Sequence, residues 1–244
     1  MDLVGVERRF DESRYRVAGA VAELRQGRRA VRGEPGRRDL DTDRVARGSQ
    51  GVVSAAPKRR GVADKRAAIL GAAVRLFGEG QFHAVAVPTL ARLAGVSEGS
   101  IYNYFSSKED VALAALAESS TWLESAMLEA LPPTGSPLDQ LLFAGAAILQ
   151  AASDEPERTR FVLLIDHALY LGDRARDAFG LLGAVELLIS SASASGLTRD
   201  LPPRILADLW LAIISSGVRQ AIADGRSDDV TAQVAEAAIA AIRA

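Results

Sequence analysis

The chain has 244 residues, 48% apolar and 25% charged, with 29 Lys and Arg against 31 Asp and Glu, proportions that exclude collagen, a coiled-coil rod and wholesale disorder. Cys is absent and only His83 and His167 represent His, so disulfide scaffolds, thiolate nucleophiles and Cys- or His-cluster metal sites are not expected, and no cofactor is implied. No uncharged apolar run reaches about 18 residues, and the start MDLVGVERRFDESR lacks the apolar stretch of a signal peptide, so a soluble, cytoplasmic protein without membrane contact is expected.

Charge is unevenly spread along the chain. Residues 1–60 carry 15 basic and 9 acidic side chains, residues 61–110 five of each, and residues 111–244 nine basic against 17 acidic. A basic front and an acidic rear suit a chain of which one part faces phosphates. Residues 1–57 are rich in Arg and Gly. Only Tyr15 to Val31, through Val17, Val21 and Leu24, keeps helical spacing, and that stripe is too thin to anchor a domain. The segment reads as a flexible basic tail, with a misassigned start codon and a DNA-touching arm as alternatives.

From Val62 to Gly80, Ile69, Ala73, Leu76 and Phe77 form one apolar helical face, with Asp64 in the first turn and Gly80 as the stop. A short helix runs from about Val87 to Ala94, with Pro88 in its first turn. Gly95 permits a tight reversal, and Ser97 caps a third helix carrying Ile101 and Phe105 at i, i+4. Further helices are expected over Lys108 to Leu131, Leu138 to Ala152, Pro156 to Leu171, Arg174 to Ser195 and Pro203 to Asp224. Asp228 then caps a last one with Val230, Val234, Ala238 and Ile242. No alternating run of β-branched residues competes, so the fold class is all-α.

Three short helices with a Gly at the second turn fit a helix-turn-helix. Leu90, Leu93, Val96, Ile101 and Phe105 are expected to pack on Ile69, Leu76 and Phe77. That packing leaves Glu98, Ser100, Tyr102, Asn103 and Tyr104 outside, able to reach base edges and phosphates in a major groove.

The stretch Val87 to Asp110, VPTLARLAGVSEGSIYNYFSSKED, resembles the DNA-binding signature of the tetracycline-repressor (TetR) family, and the preceding AAILGAAVRLFGEGQF resembles that family's first helix. The GVS turn, the Ile-Tyr-x-Tyr-Phe run and Ser-Lys-Glu carry the resemblance, which covers Lys65 to Asp110. It implies a sequence-specific transcriptional regulator, a repressor released from its operator by a small-molecule effector, rather than an enzyme. Glu98 matches a base-reading position, where the alternative role is to offset the helix dipole. Ser97, Ser100 and Asn103 face the same groove. Tyr102 and Tyr104 match phosphate or sugar contacts, with core packing as the alternative, above all for Tyr102. Lys108 adds a cation to a helix N-terminus that already attracts phosphate. Lys65 and Arg66 are backbone contacts or solvated surface. Two departures stand out: Ala86 replaces the usual Ser or Thr cap, and Pro88 removes a phosphate-reaching side chain, leaving Thr89 to supply the contact.

The resemblance also implies a homodimer on a palindromic double-stranded DNA operator. Leu206, Leu209, Trp210, Ile213, Val218, Val234 and Ile242 are the expected interface, with intrachain core as the alternative around Trp210. The middle helices then enclose an effector pocket, with Phe143, Phe161, Leu164, His167 and Tyr170 as candidates and a preference for an apolar or amphipathic ligand. His167 either bonds that ligand or is a satisfied core histidine. The chain thus divides into a tail (1–57), a helix-turn-helix DNA-binding domain (58–107) and a helical effector-binding and dimerisation domain (108–244). The competing functions are a helical-bundle enzyme, for which adjacent Asp166 and His167 make no pair, and a non-specific architectural DNA binder using the tail.

Overall fold

The computed structural model describes residues 58–224 and 228–244; the tail, with the Tyr15 to Val31 stripe, lies outside the described residues. The elements, in chain order, are α1 (Lys58–Phe77), a 3-10 turn (Phe82–Ala84), α2 (Val87–Ala94), α3 (Glu98–Tyr102), α4 (Lys108–Glu129), α5 (Pro137–Asp154), α6 (Pro156–Leu163), α7 (Ala168–Leu171), α8 (Arg174–Ala178), α9 (Gly180–Ala194), α10 (Pro203–Asp224) and α11 (Asp228–Ile242). Among the described residues there is no strand; an isolated antiparallel bridge pairs Thr198 with Arg243.

Two apolar clusters organise these helices. The front one gathers Ile69, Ala73 and Phe77 of α1, Leu90 of α2, Ile101 of α3, Phe105, and Val111, Ala112, Ala115 and Leu116 of α4. The rear one gathers Leu123 and Met127 of α4 with α5, α9, α10 and α11 around Trp210, Ile214 and Val218. The single helix α4 serves both cores. Ser107 starts it by accepting from the Asp110 amide at 3.1 Å, and Glu109 and Asp110 in its first turn favour the dipole. The division at 107/108 therefore falls at a helix start, while the front core continues through Leu116 and takes in Phe161, Leu171 and Ala175 from beyond it.

Local chemistry explains where helices start. A capping box fixes α5: the Asp139 amide donates to Ser136 Oγ at 3.2 Å and the Ser136 amide donates to Asp139 Oδ2 at 3.0 Å, with Pro137 in the first turn. α1 begins at Lys58, earlier than its apolar periodicity, so its first turn holds no acid and Asp64 lies further in.

Two expected helices are each broken. The span Pro156 to Leu171 ends its first helix at Leu163, because His167 Nε2 occupies the carbonyl of Phe161 at 2.6 Å, an acceptor that a continuing helix would need. Asp166 Oδ1 accepts the Ala168 amide at 3.1 Å and restarts the chain as the one-turn α7. The span Arg174 to Ser195 breaks at Phe179, where the backbone turns (φ -96°, ψ 68°) as the chain crosses from the front core, entered by Ala175, to the rear core, entered by Leu181.

α10 is long and apolar enough to cross a membrane by length and composition alone. In this fold Leu206, Ala207, Trp210, Leu211, Ile214, Gly217 and Val218 are buried in the rear bundle, which accounts for its hydropathy.

Candidate nucleic-acid interface

The reading unit is built around a turn. Gly95 adopts a left-handed conformation (φ 66°) that costs a side-chain-bearing residue energy, and its amide donates to the Ala91 and Arg92 carbonyls. The Val96 amide reaches back to the Ala91 carbonyl at 3.0 Å, completing the reversal. Ser97 then opens α3, its Oγ accepting the Ser100 amide at 3.2 Å and lying 2.9 Å from Ser100 Oγ. Ser97 is therefore a cap, and the Ser100 hydroxyl is engaged with it. Ala86 begins α2 without a side-chain cap, with Pro88 in the first turn.

α3 is shorter than its spacing suggests. It ends at Tyr102, Asn103 is its C-cap, and Phe105 lies beyond it with its amide on the Ile101 carbonyl at 2.9 Å. Ile101 and Phe105 are buried and pin the helix to α1. Glu98 and Asn103 are exposed and Thr89 is half-buried. The two tyrosines, both expected outside, differ, and the core alternative fits Tyr104 instead of Tyr102. Tyr102 is 56% exposed, while Tyr104 packs half-buried against the front core. Leu93, expected inside, is 43% exposed because it borders an open cleft beside Leu70 and Val74 of α1 instead of packing into the core.

The cations differ in availability. Lys65 and Arg92 are exposed. Arg66 Nη1 pairs with Glu118 Oε2 at 3.1 Å, and its guanidinium lies 5.8 Å from the Phe105 ring centre, so its charge is partly neutralised. Lys108 turns inward, contrary to its expected role on phosphate. Its Nζ donates to the carbonyls of Phe82 and Val85 at 2.9 and 3.0 Å and lies 4.3 Å from the Phe82 ring centre. Asp110, two residues on, accepts from Arg174 Nη2 at 2.7 Å, and that bond, with one from Ser107, holds its carboxyl below the usual carboxylate range.

The expected effector pocket does not assemble as one site. Phe161 and Tyr170 pack in the front core with His167 bonded to both, Leu164 packs on the rear core, and Phe143 is half-buried on α5. His167 is a satisfied core residue. Nε2–H donates to the Phe161 carbonyl, which can only accept, so Nδ1 is left to accept from the Tyr170 hydroxyl at 2.5 Å. Burial holds this imidazole's pKa below its ordinary value, against the Phe161 carbonyl and Asp166, and burial with Asp166 pushes the Tyr170 phenol up. The Tyr170 ring stacks on Phe82 at 4.0 Å. A cleft of about 390 Å³ opens elsewhere, between α1, α4 and α6, with Leu70, Val74 and Leu93 on its walls and Ser119 and Arg158 at its polar end. No group of three or more potential metal ligands occurs among the described residues.

Phe82 is the residue that periodicity could not single out. Its partner Lys108 lies 26 positions away, and only the folded chain brings them together.

An exposed polar helix, seated by a glycine turn on a three-helix core and joined to a larger helical bundle, defines a helix-turn-helix DNA-binding protein. Residues 69–115 match the model of the bacterial regulatory proteins, tetR family. The HTH-type transcriptional regulator RutR of Escherichia coli strain K12 is 31% identical over 163 residues, covering 65% of this chain and 76% of RutR. A TetR family transcription regulator from Marinobacter aquaeolei VT8 shares the fold with a TM-score of 0.63 at 23% identity, over 76% of this chain and 98% of its own. FadR from Bacillus subtilis, solved in complex with stearoyl-CoA, does so with a TM-score of 0.60 at 21% identity, over 71% and 97%. The chain belongs to the tetR family of bacterial regulatory proteins. It is a DNA-binding transcriptional regulator, as the sequence resemblance implied, and its family is one of regulators and not of enzymes.

Proposed function

We propose that the chain works in the cytoplasm as a homodimer that represses transcription from a palindromic operator and is released by an apolar or amphipathic small molecule. The observation that carries this reading is the placement of Glu98, Tyr102 and Asn103 on the open side of a helix whose Ile101 is buried. Glu98, Ser100 and Asn103 face the base edges, Tyr102 and Tyr104 contact phosphate or sugar, and Thr89, Lys65 and Arg66 serve the phosphate backbone.

One such unit reads few base pairs, so two copies must be held about 34–36 Å apart or a multiple of it. The outer sides of α10 and α11 are suited to this. Ile205, Leu209 and Val230 are 46%, 43% and 41% exposed, with half-buried Ile213 and Val234 beside them. Leu206, Trp210, Val218 and Ile242, by contrast, are fully buried within one chain and form its own core rather than the interface.

The effector reading rests on the apolar rear domain, and FadR, with its bound stearoyl-CoA, offers an amphipathic example in the same fold. Selection of bound duplexes from randomised DNA tests the main claim: an inverted repeat should be enriched, and titration should give two chains per duplex. Enrichment of no sequence overturns it. Acyl-CoAs of graded chain length, added to the complex, should release the DNA if the effector class is right.

A further inference from the structure

The turn Phe82–Ala84 and Val85 lead directly into α2, and they are held from two sides. Lys108, the first residue of α4, donates to the Phe82 and Val85 carbonyls at 2.9 and 3.0 Å and places its ammonium 4.3 Å from the Phe82 ring centre. Tyr170, beyond α6, stacks on the same ring at 4.0 Å with an interplanar angle of 9°. His167 fixes the Tyr170 hydroxyl and is itself tied to the Phe161 carbonyl. Phe82 and Val85 are buried residues whose part-buried carbonyls take their bonds from the protein, Phe82's also accepting the Val85 amide at 3.3 Å. Ala86, the next residue, begins α2 without a side-chain cap. Leu90 and Ala91 seat α2 on α1, and the contacts from Lys108 add a second hold on the turn through which the reading unit is entered.

We propose that Lys108 is a positioning residue for DNA binding: its ammonium clamps the Phe82–Val85 turn to the start of α4, with Tyr170 as the second jaw, and so sets the angle of the helix-turn-helix instead of neutralising a phosphate. Two of the three N–H groups are used on backbone carbonyls. Turning the ammonium to a phosphate would take a charged hydrogen bond from each of two part-buried carbonyls and leave Phe82's with only the longer bond from the Val85 amide at 3.3 Å, the costly direction of exchange.

The test uses the full chain and a duplex enriched from randomised DNA, with affinity measured over a range of salt concentrations. The wild type is titrated alongside, so that a failure to bind DNA at all is seen separately from a failure of the clamp. Lys108→Met should weaken binding about tenfold or more while leaving the salt slope unchanged. A lost phosphate contact would instead reduce the slope by about 0.9. Lys108→Arg should not restore affinity, because a planar guanidinium cannot occupy a seat shaped for a compact ammonium, whereas it would readily replace Lys on a phosphate.

Amide exchange across Val85 to Leu90 should quicken in Lys108→Met. Phe82→Leu keeps the ammonium and both carbonyls but removes the ring. It should weaken binding less, at the same slope, and the Lys108→Met/Phe82→Leu double variant should lose less than the sum of the two. A reduced slope, recovery with Arg, or additive losses overturns the proposal. Should Lys108→Met fail to fold by circular dichroism, Phe82→Leu and Lys108→Arg carry the test alone.

Discussion

At the scale of single residues, His167 shows how one buried polar side chain shapes its surroundings. Because the Phe161 carbonyl can only accept, the imidazole is fixed as the Nε2–H tautomer, and the same bond ends α6. A proton added at Nδ1 would turn the acceptor of the Tyr170 hydroxyl into a donor. Burial, the largest influence, lowers the pKa below the ordinary 6.5. The unfolded chain then takes up a proton first as pH falls. The stability that His167 contributes is complete above about pH 6.5 and is lost as pH drops through the lowered native value. His167→Gln keeps an amide donor near Nε2 but does not titrate. The urea-unfolding free energy of the wild type relative to this variant should therefore fall between pH 7.5 and pH 5, as other groups cancel in the difference. A difference independent of pH would refute the assignment. The tyrosines carry a second lesson. Tyr102 and Tyr104 are chemically alike and two positions apart, and α3 ends between them. A helix drawn through Phe105 leaves both outside, on either flank of the Ile101/Phe105 face, so spacing did not show that Tyr104, beyond the end of α3, turns half into the core. Asn103→Ala should shift the preferred bases in a selection experiment while changing the salt slope little, since a base contact and not a phosphate contact is removed.

At the scale of elements, several helix starts were legible because their causes are local, though the start of α1 at Lys58 was not. Pro88, Ser97, Ser107 and the Ser136/Asp139 pair sit within a turn of the backbone groups they serve. The breaks after Leu163 and at Phe179 were not legible. The first depends on a ring nitrogen six residues away finding a carbonyl, and the second on the chain passing from one core to another. The same distinction governs Gly217. Periodicity marks it only as an apolar position of α10, yet a Cβ there would lie 2.6 Å from Val234 Cγ1 and 2.9 Å from Leu149 Cδ2. Alanine gains about 1 kcal/mol in helix propensity, but overpacking against a stiff β-branched neighbour costs about 1–3 kcal/mol. Gly217→Ala should thus lower the urea midpoint, and adding Val234→Ala should recover part of the loss by vacating that space. Equal stability of Gly217→Ala and the wild type would show that α11 yields at no cost.

At the scale of the whole molecule, the rear bundle has two faces with different tasks. The inner face holds Leu206, Trp210, Ile214 and Val218 against α5, α9 and α11, so truncating any of them costs stability, about 2–5 kcal/mol for a leucine or isoleucine cut to alanine. The outer face leaves Ile205, Leu209 and Val230 partly in water. A sequence reading could not separate the faces, because both are apolar and lie on the same two helices. A substitution on the outer face can divide association from folding. Leu209→Glu places a charge where the partner copy would have to bury it, at a cost far above the gain from one apolar contact. In an isolated protomer that charge stays in water. The variant should keep the wild-type circular dichroism and melt cooperatively, but sediment as a monomer. Its affinity for an inverted repeat should fall by about tenfold or more, because the second reading unit no longer binds at high effective concentration. Its affinity for a single half-site should stay that of one wild-type unit. If Leu209→Glu remains dimeric with full operator affinity, the two copies meet through some other surface, and the spacing of the reading heads is set elsewhere in the chain.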